Sequence, residues 1–213
     1  MKLLLVFLFL MLGAMEQGSP SGEAFEGIVH FKTEIGTTSL ASESLPERLR
    51  AKYGTGIDMY YSKDGRFKRT HLNIASGQIE SQFYLNDLGG LVFTYRDSDK
   101  LDTIDVSKNT LTLVSRERLP DETIISYDCE CYQYDAHSLT AGAVILEFCF
   151  SKKTPWVSPE NWTEHRDFFL DRFFAFAQRP YLRYALKTAT FSLNMTAVSI
   201  EEKDLEAKTF RWN

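Results

Sequence analysis

Turn-forming residues recur at short intervals along most of this chain, between runs that alternate apolar and polar side chains. In "FEGIVHFKTEI", the residues Val29, Phe31 and Ile35 share one face of an extended chain, which is typical of a strand with one buried face. Asp64-Gly65 separates two such runs, and Asp-Gly is one of the strongest hairpin signals. Turns spaced about 8–12 residues apart predict an antiparallel meander in a barrel or a sandwich.

Further strand-like runs follow along the chain. They are "QIESQFYL", "LVFTYR", "LDTIDV", "TLTLVS", "TIISYDCECYQY", "AVILEFCF", "YLRYALK" and "TATFSLNMTAVSIEEKDL". A curved antiparallel sheet of about eight or more strands encloses an apolar concavity. The sequence therefore predicts a mainly β fold with some α (α+β): a curved antiparallel sheet, or half-barrel, with two or so helices packed on its concave side.

Two segments carry helix signals. The first lies near 45–53, where Ser44 can cap the helix and Gly54 can end it. The second is expected over 159–177, because Pro159 suits the first position of a helix and the apolar residues after it have helical spacing.

The second helical segment contains "FFLDRFFAFA", with five phenylalanines in ten positions. A helical period places the large aromatic side chains on one broad face: Trp162, Phe169, Phe173 and Phe176. It leaves Phe168 off that face. We expect the aromatic face to point towards the concave side of the sheet. Either its side chains fill the concavity as core, or space remains beside them and the helix forms a lid over an apolar ligand site.

The first 14 residues have the pattern of a signal peptide, with Lys2 followed by an apolar run over 3–12. We expect cleavage after residue 14 or as late as residue 24, a flexible leader over 15–24 and one β-rich domain over 25–213. No other run approaches the roughly 20 apolar residues of a transmembrane helix. The sequence therefore predicts an exported protein, soluble in the periplasm or outside the cell, with no transmembrane segment in the mature chain.

Charge and motifs argue against several classes of function. The net charge is −5, whereas nucleic-acid binding needs a basic face. The histidines His30, His71, His137 and His165 lie in none of the common hydrolase or metal-site motifs. We therefore predict a protein that is not an enzyme, with no catalytic residue, cofactor, metal or nucleic-acid partner.

The chain has three cysteines, Cys129, Cys131 and Cys149, and their spacing does not match a zinc site. The runs that carry them read as neighbouring strands of one hairpin. A turn centred within 137–141 would place Cys129 opposite Cys149, with Cys131 one diagonal away. We therefore predict a Cys129–Cys149 disulfide, which export permits; free, half-buried thiols are the alternative.

Several short motifs follow one another in the order signal peptide, "FEG", meander strands, "YDCECY", "TPWVSPENW" and "TAVSIEEKDL". In this order the chain resembles, over residues 25–210, an exported bacterial family of unknown function that is related to the outer-membrane lipoprotein carriers. The resemblance implies the carriers' half-barrel, helices over its concave face, and binding of acyl chains or other apolar groups there. The chain departs from the carriers in offering no arginine that aligns with their acyl-carrier function.

Three functions are compatible with these patterns. The first is a non-enzymatic envelope protein that binds a lipid, an acyl chain or a lipoprotein in the half-barrel concavity. The second is a structural or interaction module whose concavity is filled by its own helix. The third is a hydrolase with an unrecognised site, which a buried cluster joining His71 or His165 to a carboxylate would support.

Overall fold

The computed structural model describes residues 23–86 and 88–212. Within these ranges the chain forms one curved, unclosed antiparallel sheet of eleven strands, accompanied by two short α-helices. The fold is mainly β, as predicted, with less helix than an α+β fold usually has. The predicted signal peptide (1–14) lies outside the described residues, as does all but the end of the predicted leader (15–24).

The elements have the following bounds. The strands are β1 (Gly27–Thr37), β2 (Gly56–Tyr61), β3 (Phe67–Leu72), β4 (Ile79–Leu85), β5 (Gly90–Tyr95), β6 (Ser98–Asp105), β7 (Leu111–Ile124), β8 (Tyr127–Ser138), β9 (Gly142–Phe150), β10 (Arg183–Lys187) and β11 (Phe191–Glu202). The helices are α1 (Leu45–Tyr53) and α2 (Leu170–Ala177), with 3₁₀ turns at Pro159–Trp162, Asp167–Phe169 and Ala207–Phe210. Over the part of the chain that the structure describes, no helix is long and apolar enough to cross a membrane.

The sheet consists of two meanders joined side by side. Strands β1 to β6 are neighbours in sequence order and form the β1–β6 wing, while β7 to β11 form the β7–β11 wing. The wings meet where β1 pairs with β11, for example through Phe31 opposite Ala197. Strands β6 and β7 are the two edges of the sheet. The predicted meander is therefore present, and its two ends stay apart instead of closing into a barrel.

The tight turns of the meander differ in how well the sequence marks them. The Asp64-Gly65 hairpin forms as predicted between β2 and β3, with Tyr61 opposite Phe67. The reading of "TIISYDCECYQY" as one strand is wrong, because the chain reverses at Ile125-Ser126 between β7 and β8. Both turn residues have left-handed φ angles, 47° and 66°, which a two-residue type I′ turn requires. Asn and Gly are the usual residues there, so Ile-Ser carries no turn signal.

The continuous helix predicted over 159–177 is also wrong. Its first part is a 3₁₀ turn followed by a loop, and α2 begins only at Leu170. Phe168 and Phe169 interrupt the helical path with left-handed φ angles of 53° and 59°, which are uncommon for bulky residues. The shorter predicted helix over 45–53 agrees with α1.

Backbone hydrogen bonds from distant residues hold the loop before α2. The carbonyl of Val106, between β6 and β7, accepts bonds from the N–H groups of Arg166 at 2.8 Å and Asp167 at 3.2 Å. The N–H of Asp171 donates to the carbonyl of His165 at 2.8 Å. Because the tertiary fold brings Val106 to this loop, the helical period of the sequence could not reveal the break.

One face of the sheet carries most of the core. Successive strand residues alternate between the two faces, and Phe67 and Phe148 point to the side where α2 and the loop before it lie. We call this side the inner face and the opposite side the outer face. The largest fully buried side chains on and against the inner face are Tyr134, Phe148, Phe150, Phe173, Phe174 and Tyr181.

Candidate functional site

Aromatic side chains of α2 and the preceding loop fill the inner face of the β7–β11 wing. Phe173 stacks on Phe148 with ring centroids 4.7 Å apart, and Phe169 stacks on Tyr134 at 6.0 Å. Three of the side chains that we predicted to face a ligand are buried, with 1% to 3% of their surface exposed: Trp162, Phe169 and Phe173. Phe169 and Phe173 pack over the β7–β11 wing, whereas Trp162 packs against Phe67 and Tyr84 of the β1–β6 wing. The chain itself therefore occupies the β7–β11 half of the concavity and part of the other half.

Two other phenylalanines depart from the predicted helical face. Phe176 contacts the rings of Tyr132 at 5.0 Å and Phe150 at 5.6 Å, and it is 43% exposed at the border of the inner face. Phe168, expected to lie off the apolar face, instead lines a cavity on the inner face. The difference follows from the left-handed backbone at Phe168, which takes this residue out of the helix.

That cavity has a volume of about 210 Å³ and lies mainly over the β1–β6 wing. Its walls come from strands of both wings, from α1 and from the loop before α2. Most of the lining is apolar, including Ile57, Phe67, Leu91, Phe93, Leu193 and Met195. Phe168 and Leu170 border it on the side of the loop. Empty space therefore remains beside the aromatic packing of α2.

Strand β3 places a positive charge in this cavity. Phe67, Arg69 and His71 alternate along β3 and share its inner face. The Arg69 guanidinium donates a hydrogen bond from Nη2 to the Tyr181 hydroxyl at 3.1 Å, whereas its Nε has no hydrogen-bond partner among the described residues. Arg69 was not among the predicted site residues, although its two-residue spacing from Phe67 marks it as inward-facing.

Two buried histidines line the same cavity. Burial, and secondly the charge of Arg69, lowers the pKa of His71 to about 4 and that of His165 to about 3. Both imidazoles are therefore neutral at pH 7. Nε2 of His71 lies 3.3 Å from Nε2 of Gln82, and the ring of His165 packs against that of Tyr84 at 4.8 Å.

These histidines do not form the cluster that a hydrolase would need. Among residues 23–86 and 88–212, neither His71 nor His165 has a carboxylate within hydrogen-bond distance. Asp167 lines the cavity too, but its carboxylate accepts a hydrogen bond from Oγ1 of Thr110 at 3.1 Å, and burial raises its pKa. The geometry gives a mostly apolar chamber with a buried cation, and nothing in it pairs an acid with a base.

The cysteines pair differently from the prediction. The disulfide joins Cys131 to Cys149, and Cys129 keeps a buried free thiol, so the predicted Cys129–Cys149 bridge is wrong. The β8–β9 turn pairs Ser138 with Gly142, which makes Cys131 the direct partner of Cys149. The turn centre thus lies one residue beyond the assumed one, which moves the cross-strand partner by two positions.

The disulfide lies on the outer face, away from the cavity. In the described ranges, Glu122, Cys131 and Cys149 bring ligand-type atoms within 4.8 Å of one another. Metal binding by cysteine requires thiolates, and here the two sulfurs are bonded to each other. Burial raises the pKa of the remaining Cys129 thiol to about 11, which makes it a poor nucleophile at neutral pH.

No protein-family model and no curated protein matches the chain. Among solved structures, it aligns with a crystal structure described as an outer membrane lipoprotein-sorting protein domain from Vibrio parahaemolyticus, at 9% identity, over 88% of each chain and with a TM-score of 0.21. A likeness of this strength is distant.

Proposed function

We propose that this protein is a non-enzymatic, exported envelope protein that binds an apolar ligand on the inner face of its half-barrel sheet. The ligand would be a lipid, a free acyl chain or the acyl group of a lipoprotein. Export, to the periplasm or the cell exterior, depends on the predicted signal peptide over 1–14. One observation carries the binding proposal: the largely apolar cavity of about 210 Å³. Ligand sites are typically concave and mostly apolar, with a few placed polar groups.

The packing around the cavity supports this proposal. Side chains that border an empty space lack contact atoms on one side, which forfeits dispersion energy. A hydrocarbon chain in the cavity would supply those contacts and keep water from the apolar walls. Arg69, His71 and Gln82 provide polar groups that could fix one end of such a ligand.

A second function is favoured by a different observation. The rings of Phe169 and Phe173 fill the β7–β11 wing, and that of Trp162 covers part of the β1–β6 wing, as expected for a structural or interaction module whose concavity is occupied by its own chain. The two functions differ in whether the remaining cavity admits a ligand.

Filling the cavity tests the choice between them. Ile104 lines the cavity on the edge strand β6 and is 41% exposed, so a larger side chain there can occupy the cavity mouth without rebuilding the core. We expect Ile104→Trp to weaken the binding of an apolar fluorescent probe by about tenfold, which corresponds to roughly 1.4 kcal/mol. The measurement is a probe titration followed by fluorescence.

Leu101 provides the matched control. It lies on the same strand and is 47% exposed, but it is not part of the cavity wall. Leu101→Trp should bind the probe as the wild type does. Equal binding by the wild type and both variants would mean that the probe binds elsewhere, and the cavity proposal would then fail. A wild type that binds no probe would favour the filled interaction module.

A further inference from the structure

We infer that the ligand of the cavity is a carboxylate with an apolar chain, and that Arg69 binds its carboxylate group. This inference rests on the proposed function, because it specifies the chemical class of the ligand that the cavity would hold. It gives a role to Arg69, whose positive charge has no carboxylate partner among the described residues.

Arg69 and Arg183 lie on opposite faces of the sheet and differ in the partners of their guanidinium groups. Arg183, on the outer face, contacts the carboxylates of both Glu122 and Glu147. Arg69, on the inner face, has the neutral Tyr181 hydroxyl as its hydrogen-bond partner. Over residues 23–86 and 88–212, no carboxylate lies within ion-pair distance of Arg69, and its Nε has no hydrogen-bond partner.

The surroundings of Arg69 do not offer a counter-charge. A guanidinium stays protonated in proteins, and an unpaired charge in an apolar site is costly. The neighbouring imidazoles of His71 and His165 are neutral at pH 7 and cannot become anions. Asp167, the carboxylate that lines the cavity, is bonded to Thr110 and is not paired with Arg69. A bound anion would therefore complete the site.

The single charge of Arg69 and the size of the cavity limit which anions can bind. Arg69 supplies one positive charge in a planar fork that matches a carboxylate, whereas a phosphate monoester carries about 1.5 to 2 negative charges near pH 7. The cavity volume of about 210 Å³ is several times the roughly 30 Å³ share of one water molecule, so the cavity has room for a short hydrocarbon chain as well as an anionic group. A singly charged carboxylate with a short apolar chain fits both the charge and the size.

Calorimetric titration of the exported protein, after extraction of any co-purified lipid, tests the inference. The ligands are octanoate, 1-octanol and octyl phosphate at pH 7, which share a chain and differ in head group. We expect octanoate to bind at least about tenfold more tightly than 1-octanol, the difference that a charged hydrogen-bonded pair provides. Octyl phosphate should bind more weakly than octanoate.

Variants of β3 test whether Arg69 causes the preference for octanoate over 1-octanol. Arg69→Met keeps an apolar side chain of similar length, so it should still bind 1-octanol but lose the preference for octanoate. Arg69→Lys keeps the charge and should retain part of that preference. Lys68→Met is the control, because Lys68 lies on the same strand with its ammonium over the outer-face ring of Phe83 at 5.1 Å; it should behave as the wild type.

The possible outcomes separate this inference from the function on which it rests. If the wild type binds octanoate and 1-octanol equally, the carboxylate site is wrong while the apolar cavity stands. If it binds neither ligand, the proposed function fails as well. If octyl phosphate binds most tightly, the head group is a phosphate and the inference is overturned. The wild-type comparison decides these points even if Arg69→Met does not fold.

Discussion

Polar side chains buried in the cavity leave part of their hydrogen-bonding capacity unused. Within the part of the chain that the structure describes, Nε of Arg69 and Nδ1 of His165 have no hydrogen-bond partner. Leaving a buried polar group unsatisfied costs about 1–3 kcal/mol, so such groups are uncommon unless they serve a function. Both atoms are shielded from solvent, so a ligand in the cavity would have to contact other atoms of these side chains.

His165 should make the stability of the protein depend on pH. Its pKa falls from the usual 6.5 to about 3 in the folded state because of burial, so the unfolded chain binds more protons between these values. The free energy of unfolding should therefore decrease as the pH falls from about 6.5 towards about 3, by an amount on the order of a few kcal/mol, and should not depend on His165 above that range. We expect His165→Phe to flatten this decrease in denaturant unfolding curves.

A histidine outside the core provides the control. His137 is exposed on β8, so His137→Gln should leave the pH dependence of unfolding as it is in the wild type. A His165→Phe variant with the same pH dependence as the wild type would show that His165 is not kept neutral by burial.

Helix α2 and the loop before it have two different roles. The helix contributes core through Phe173, which is 1% exposed and stacked on Phe148. The loop contributes cavity wall through Phe168. Residues only five positions apart therefore experience different environments, because the backbone leaves the helical path at Phe168 and Phe169.

Alanine substitutions should separate these roles. Phe173→Ala should lower the free energy of unfolding by about 3–5 kcal/mol, as large-to-small changes in a packed core do. Phe168→Ala should lower it less, because that ring already lacks partner atoms on its cavity side, and should weaken binding of the apolar probe. Denaturant unfolding and probe titration measure the two effects.

Phe176→Ala is the control for a partly exposed phenylalanine that does not line the cavity. It is 43% exposed, so Phe176→Ala should also cost less stability than Phe173→Ala, but without an effect on probe binding. If Phe168→Ala were as costly as Phe173→Ala and left probe binding unchanged, the ring of Phe168 would be core and the cavity would be closed there.

Elements with local signals were predictable from the sequence, and elements decided by distant contacts were not. The β2–β3 hairpin follows from Asp64-Gly65, and α1 follows from its flanking residues, because both signals are local. The helix break at Phe168 depends on Val106, which no periodicity reveals. The disulfide depended on the position of a turn, where an error of one residue changes the cross-strand partner.

The sequence predicted an apolar site beside the aromatic segment, but it did not predict which residues line that site. The aromatic run identified the segment that packs on the inner face, yet its helical period pointed to Phe173 and away from Phe168. Arg69 was not predicted as a site residue because a charged residue on a strand is usually exposed. Only the pairing of β3 within the sheet shows that its inner-face position borders an unfilled space.

The molecule as a whole is asymmetric. One continuous sheet carries a β7–β11 wing covered by the chain's own aromatic side chains and a β1–β6 wing that retains a cavity. The junction of β1 with β11 joins them without a break in the hydrogen-bonded sheet. In the proposed function, the hollow wing would hold the ligand and the packed wing would frame it.

Native mass spectrometry of the exported protein, isolated without detergent or organic solvent, tests the central claim most directly. We expect a fraction of molecules with one bound apolar ligand and a mature N-terminus between residues 15 and 25. The bound fraction should be smaller in Ile104→Trp than in the wild type and unchanged in Leu101→Trp. Ligand-free protein in every preparation, together with no uptake of added octanoate or 1-octanol, would contradict it.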